Sequence, residues 1–164
     1  MRDNVYDADE RAACARKNFL DGYNCSQSVV MAYVDAFEQA GIDPEVVARV
    51  ASPFGGGMAR MREVCGCVSG SLMIMGLVEG YSDPKAYAAK KRLYEQVQEV
   101  AGRYRDENGS IVCRELLGLG KGADVPTPER RTQTYYRKRP CADLCASAAR
   151  IMAEYLNEIE AAGD

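Results

Sequence analysis

Apolar and polar positions along the chain follow the helical period rather than the alternation of a strand. Residues 7–20 begin acidic, with Asp7, Asp9 and Glu10, and end basic, with Arg16 and Lys17. That order complements the helix macrodipole, and Asp21-Gly22 supplies the stop. Asn24 offers an N-cap for a helix over residues 25–37, where Val29, Val30, Tyr33, Val34 and Phe37 recur at helical spacing before Gly41. Asp43-Pro44-Glu45 opens a short third helix, with Pro in the first turn, where its missing N–H is not needed. Ser52-Pro53 and the three glycines Gly55, Gly56 and Gly57 then predict a tight loop.

Residues 64–78 are apolar on most sides and carry Gly66, Gly70 and Gly76, which predicts a central buried helix whose glycines let neighbours approach closely. Asp83-Pro84 starts a long amphipathic helix to about Tyr104, and residues 106–109 form the turn after it. Ser110 can cap a segment over 111–119, and the Gly, Pro, Asp and Thr of residues 120–128 predict a long loop. A last helix over 142–159 carries Leu144, Ala148, Ile151, Met152, Tyr155, Leu156 and Ile159 on one stripe. The expected fold is all-α: a single-domain multi-helix bundle over residues 1–164, built around the central apolar glycine-containing helix.

Composition narrows the functions available. A chain of 164 residues, 47% hydrophobic and 27% charged, suits one packed core. A net charge of -3 leaves no basic excess for the phosphates of a nucleic acid. The basic stretch of Arg130, Arg131, Arg137, Lys138 and Arg139, with Tyr135 and Tyr136, therefore reads as a solvated face. The longest apolar run, 72–78, is far short of the roughly 20 residues that span a bilayer. The acidic first ten residues lack the apolar centre of a secretion signal. The expectation is a cytoplasmic protein with no nucleic-acid or membrane partner. A homodimer is compatible with so apolar a helical chain but is not specified.

Seven cysteines and no histidine focus the chemistry on sulfur. Without imidazole, Cys-His nucleophiles, serine triads and mixed Cys/His zinc sites are excluded. Cys25, Cys65, Cys113 and Cys141 each fall at or near the start of an expected helix, where free N–H groups and the dipole favour a thiolate. Cys141 and Cys145 lie one helical turn apart and share a face. Cys65-Gly66-Cys67 is a C-x-C element in which a disulfide would be strained and oxidising. Cys14, in an alanine-rich helical stretch, reads as core packing. The glycine loop, followed by Arg60 and Arg62, resembles an anion-binding nest, but it has no P-loop ending and reads more simply as a flexible turn that lets Cys65 approach a bound group.

Taken in order, Asn24-Cys25-Ser26-Gln27-Ser28-Val29, Phe54-Gly55-Gly56-Gly57-Met58, Val64-Cys65-Gly66-Cys67-Val68-Ser69-Gly70, Ile111-Val112-Cys113-Arg114-Glu115-Leu116-Leu117-Gly118 and Pro140-Cys141 resemble the C_GCAxxG_C_C family of redox-active proteins. The resemblance spans about residues 10–160. It implies an all-helical bacterial or archaeal protein, common in anaerobes, with a cysteine-centred redox role. Carried over, Cys25, Cys65, Cys113 and Cys141 match the family cysteines, and Gly66 and Gly70 its glycines. Cys67 departs from the pattern, which has alanine there.

Three functions stay open on the sequence. The first is a thiol-dependent oxidoreductase in which Cys25 or Cys65 attacks and a second cysteine resolves, working with an unidentified redox partner. The second is an iron-sulfur or other soft-metal protein with Cys25, Cys65, Cys113 and Cys141 as ligands and Cys67 and Cys145 as possible additions. The third is a helical interaction module whose cysteines only pack and which carries no cofactor.

Overall fold

The structure, a computed structural model, describes residues 5–163; the first four residues of the acidic N-terminal stretch lie outside them. The helices are α1 (Ala8–Leu20), α2 (Cys25–Met31), α3 (Val34–Gln39), α4 (Pro44–Ala51), α5 (Gly55–Met58), α6 (Gly66–Glu79), α7 (Tyr87–Asn108), α8 (Cys113–Leu116), α9 (Gln133–Lys138) and α10 (Cys141–Ala162). A 3-10 turn, Ser52–Phe54, joins α4 to α5. The fold is all-α, and the only β-type pairing among the described residues is an isolated bridge between Val64 and Val112.

Local chemistry explains most boundaries. Asp7 caps α1 by accepting from the Glu10 N–H, and Asn24 and Gln27 form a reciprocal capping box at α2. Asp43 caps α4, with Pro44 in its first turn. Helix α10 packs along α1 and against α2, α6 and α7, and α6 in turn lies on α2 and α7. Phe19, Tyr33, Ile74, Met75, Tyr104, Met152 and Leu156 fill the space between them.

Three expectations are corrected. The helix foreseen over 25–37 is two, because Arg11 donates to the Ala32 carbonyl at 2.6 Å and Tyr33 turns to donate to the Ala149 carbonyl at 2.7 Å. These tertiary bonds outweigh local propensity. The long helix begins at Tyr87 rather than at Asp83, since Asp83 accepts from the Lys85 N–H and forms a turn first. The basic stretch is not simply a solvated face: Thr132 caps the short helix α9, and Arg131, Tyr135, Tyr136 and Arg139 are half-buried. None of the helices among the described residues is long and apolar enough to cross a membrane.

Candidate functional site

Glycine contacts bring the cysteine-bearing segments together. A Cβ on Gly66 would lie 2.9 Å from the Phe54 carbonyl oxygen and 3.0 Å from the Cys25 Cβ, and one on Gly70 would lie 2.7 Å from the Ser26 carbonyl oxygen. Helix α6 therefore reaches α2 only because these two residues lack side chains. Between Cys65 and Cys113 the link is backbone. Cys65 N–H donates to the Ile111 carbonyl at 2.8 Å, and Cys113 N–H donates to the Glu63 carbonyl at 2.6 Å. Gly57 packs against the same joint, where a Cβ would meet the Cys113 Cβ at 2.6 Å.

The result is a cavity of about 310 Å³ whose wall includes Cys25, Cys65, Cys113 and Cys141, together with Gly55, Gly56, Gly57 and Gly66. Four cysteines from four separate segments thus face one space. Cys67 and Cys145 lie just behind them, fully buried, with their sulfurs 3.5 Å apart, and the Cys145 thiol is 3.8 Å from the Cys25 carbonyl oxygen. Cys14 stands apart on α1 and accepts from the Asn18 amide at 3.8 Å. All seven cysteines are free thiols. Among the described residues no three Cys, Asp or Glu side chains converge on a position for a metal ion.

The thiols differ in their preference for charge. Cys25 is held well below the ordinary thiol range because Cys141, Cys145 and Cys67 donate toward its sulfur, with a further contribution from the Gly56 backbone N–H, all against the cost of burial. Of the glycine loop, the Gly56 N–H thus acts in the direction that favours a Cys25 thiolate. Cys65 is also lowered, first by Cys67 and then by the Tyr104 hydroxyl, whose oxygen lies 3.5 Å from its sulfur. Cys141 is raised, chiefly by its bond to Cys25, then by burial and by the charge on Cys25. Burial raises Cys145, and hydrogen bonding to Cys145, Cys25 and Cys65 raises Cys67. Burial also pushes Cys113 up, opposed by Arg62, whose guanidinium donates to its sulfur at 3.7 Å. Within the cluster the thiolate form is favoured at Cys25 and Cys65 and disfavoured at Cys67, Cys113, Cys141 and Cys145.

The loop that completes the cavity is strained. Met58, Ala59, Arg60 and Arg62 all have positive φ, between 51° and 67°. Non-glycine residues there cost roughly 1–2 kcal/mol each. Arg62 and Arg60 are held by Asp124, at 2.7 and 3.5 Å, and Arg60 also donates to the Val125 carbonyl at 2.9 Å. The segment after α8, expected as a loop over 120–128, contributes Pro126 and Pro128 to the wall, and Arg131, Tyr135 and Arg139 continue it.

Sequence reasoning identified the four cavity cysteines and the three loop glycines as candidates. It missed Tyr104, which lay inside a long amphipathic stretch, and it assigned Arg131 and Arg139 to solvent. The clustering of Tyr135 and Tyr136 with Arg131, Arg137 and Arg139 within nine residues was the available signal.

The C_GCAxxG_C_C profile, described as "Putative redox-active protein", matches residues 23–155. The chain belongs to this family. The matched segment begins just before Cys25 and ends within α10, so it encloses the whole cavity wall. No curated protein and no solved structure matches the chain.

Proposed function

We propose that the protein is a dithiol oxidoreductase in which Cys25 is the nucleophile and Cys141 the resolving thiol. The observation that carries this reading is the position of Cys25 on the same cavity wall as Cys141, where donors from Cys141 and the Gly56 N–H lower its pKa and favour the thiolate. A thiolate, not a thiol, attacks a disulfide, so a depressed pKa facing an open cavity is the arrangement the reaction needs.

The Cys25 thiolate attacks one sulfur of a substrate disulfide, whose S–S bond breaks and expels a thiolate. Cys25 is then in a mixed disulfide and carries no charge. The negative charge that raised Cys141 is gone, so Cys141 loses its proton more readily, aided by its place at the start of the 22-residue helix α10. Its thiolate attacks the Cys25 sulfur and expels the second substrate thiolate. Two electrons have passed to the substrate, the protein holds a Cys25–Cys141 disulfide, and two protons complete the two product thiols. An external dithiol reverses the sequence.

The test is thiol counting in a graded redox buffer. Two of seven thiols should be lost in one step, and Cys25→Ser or Cys141→Ser should each abolish that step, whereas Cys14→Ser should not.

A second reading, an iron-sulfur cluster held by Cys25, Cys65, Cys113 and Cys141, draws support from the same four thiols sharing one wall. The absence of three converging donors does not suit a single ion, so a cluster spanning separated ligands is the form this reading takes. Iron and acid-labile sulfide in protein purified without oxygen would favour it over the dithiol.

A further inference from the structure

The cavity wall carries more positive charge than it neutralises. Arg60, Arg62, Arg131 and Arg139 all line it. Three of them share two carboxylates: Asp124 pairs with Arg62 and Arg60, and Glu129 pairs with Arg139 at 2.6 Å and Arg60 at 3.9 Å. Arg131 has no carboxylate partner among the described residues. It donates instead to the Phe19 and Tyr23 carbonyls, at 3.3 and 3.2 Å, and stacks over the rings of Phe19 and Tyr135, at 4.3 and 4.9 Å. Four guanidiniums against two carboxylates and the Cys25 thiolate leave an excess of one positive charge on this wall, in a chain whose net charge is -3.

The excess lies beside the thiols. Tyr135, under Arg131, is raised to about 12, mainly by burial, with the charges of Cys141 and Cys25 adding to the rise and Arg131 opposing it. The fixed bonds of Arg131 to carbonyls and rings hold a cation on the wall without neutralising it, which is the electrostatic form of an anion subsite. Apolar residues, Leu116, Leu117 and Leu144, line the cavity as well and suit a disulfide bond. At about 310 Å³ the space is at the lower end for small-molecule sites, too small for a folded partner to enter.

We propose that the cavity takes a small disulfide bearing anionic groups as the oxidant of the Cys25/Cys141 dithiol, with Arg131 as the main contact for its charge. This rests on the dithiol reading given above. The electron balance is the one already written: the anionic disulfide gains two electrons and two protons and leaves as two anionic thiols.

The test uses the reduced full chain and three small disulfides of similar size: dithiodiglycolate, which is anionic, 2-hydroxyethyl disulfide, which is neutral, and cystamine, which is cationic. Oxidation by the anionic compound should be at least about tenfold faster than by the neutral one, with the cationic one slowest. The preference should shrink at about 1 M salt, where screening is complete within a few ångströms. Arg131→Gln should erase most of the preference and Arg131→Lys should keep part of it. A parallel comparison of iodoacetate with iodoacetamide on the unaltered chain reads the same field without any variant. Equal rates with all three disulfides would overturn the anion subsite while leaving the dithiol chemistry standing. No reaction with any of them, with Cys25 still alkylated, would overturn both.

Discussion

The sulfurs of Cys67 and Cys145 lie 3.5 Å apart in the fully buried layer behind the cavity, and neither residue reaches the cavity wall. Cys67 has the Cys145 sulfur within hydrogen-bonding distance, so the structure gives it a partner on α10 as well as its sequence neighbour Cys65. This inner pair should oxidise after the outer one. With rising oxidant, disulfide mapping by mass spectrometry should find Cys25–Cys141 first and Cys67–Cys145 second. Cys145→Ala should remove only the second loss of thiols, at a stability cost of about 1–2 kcal/mol for the lost packing. A Cys65–Cys67 disulfide as the first product would contradict this order.

The glycines of the site should be far less replaceable than others in the same helix. Gly66→Ala forces a methyl group against the Phe54 carbonyl and the Cys25 Cβ, and should cost about 1–3 kcal/mol in chemical denaturation. Gly57→Ala adds left-handed backbone strain to a clash with the Cys113 Cβ, and should cost more. Gly76, exposed in α6 with nothing near its missing Cβ, is the control: Gly76→Ala should stabilise by about 0.5–1 kcal/mol.

The reactivity of Cys25 should depend on pH with a midpoint below that of a free thiol, near 8.5. Its pKa is lowered in the folded protein, so it stays a thiolate as pH falls below the ordinary range and is protonated only at the lower value. Alkylation of Cys25 by iodoacetamide should therefore remain fast at neutral pH, and Cys141→Ala, which removes the leading donor, should move the midpoint upward. A midpoint at the ordinary thiol value in the unaltered chain would remove the basis for a thiolate nucleophile.

Away from the cavity, Arg11 and Asp35 form a two-pronged pair, at 2.6 and 2.7 Å, that fixes the break between α2 and α3. Its hydrogen bond to Arg11 holds the Asp35 carboxyl below its usual value. The stabilisation is therefore present above the unfolded carboxylate pKa, near 3.9, and is lost as pH falls through the lower folded value. Arg11→Ala should cost about 1–2 kcal/mol near neutral pH, a moderate figure because Asp35 is half exposed. Asp35→Asn should flatten the acid limb of the stability curve.

Much of this organisation is legible in the residues. Capping residues and glycines mark the ends of α1 and α4, and the helix-start positions of Cys25, Cys65, Cys113 and Cys141 already single them out as a group. What is not legible depends on long-range contacts. The break at Tyr33 needs Arg11 and Ala149, more than twenty and more than a hundred residues away respectively. The cationic wall needs Arg131 to fold back over Phe19, and no local pattern encodes that. The Cys67–Cys145 contact joins two helices whose facing sides cannot be assigned from periodicity when α6 is apolar nearly all round.

Trapping the first covalent intermediate tests the nucleophile and resolver assignment most directly. Reduced Cys141→Ser protein, mixed with a small disulfide and analysed by peptide mass spectrometry, should accumulate a stable mixed disulfide on Cys25. The unaltered chain should show only a transient adduct that gives way to the Cys25–Cys141 disulfide. An adduct on another cysteine, or one equally long-lived on Cys25 in both proteins, would contradict the assignment of Cys25 as nucleophile and Cys141 as its resolving thiol.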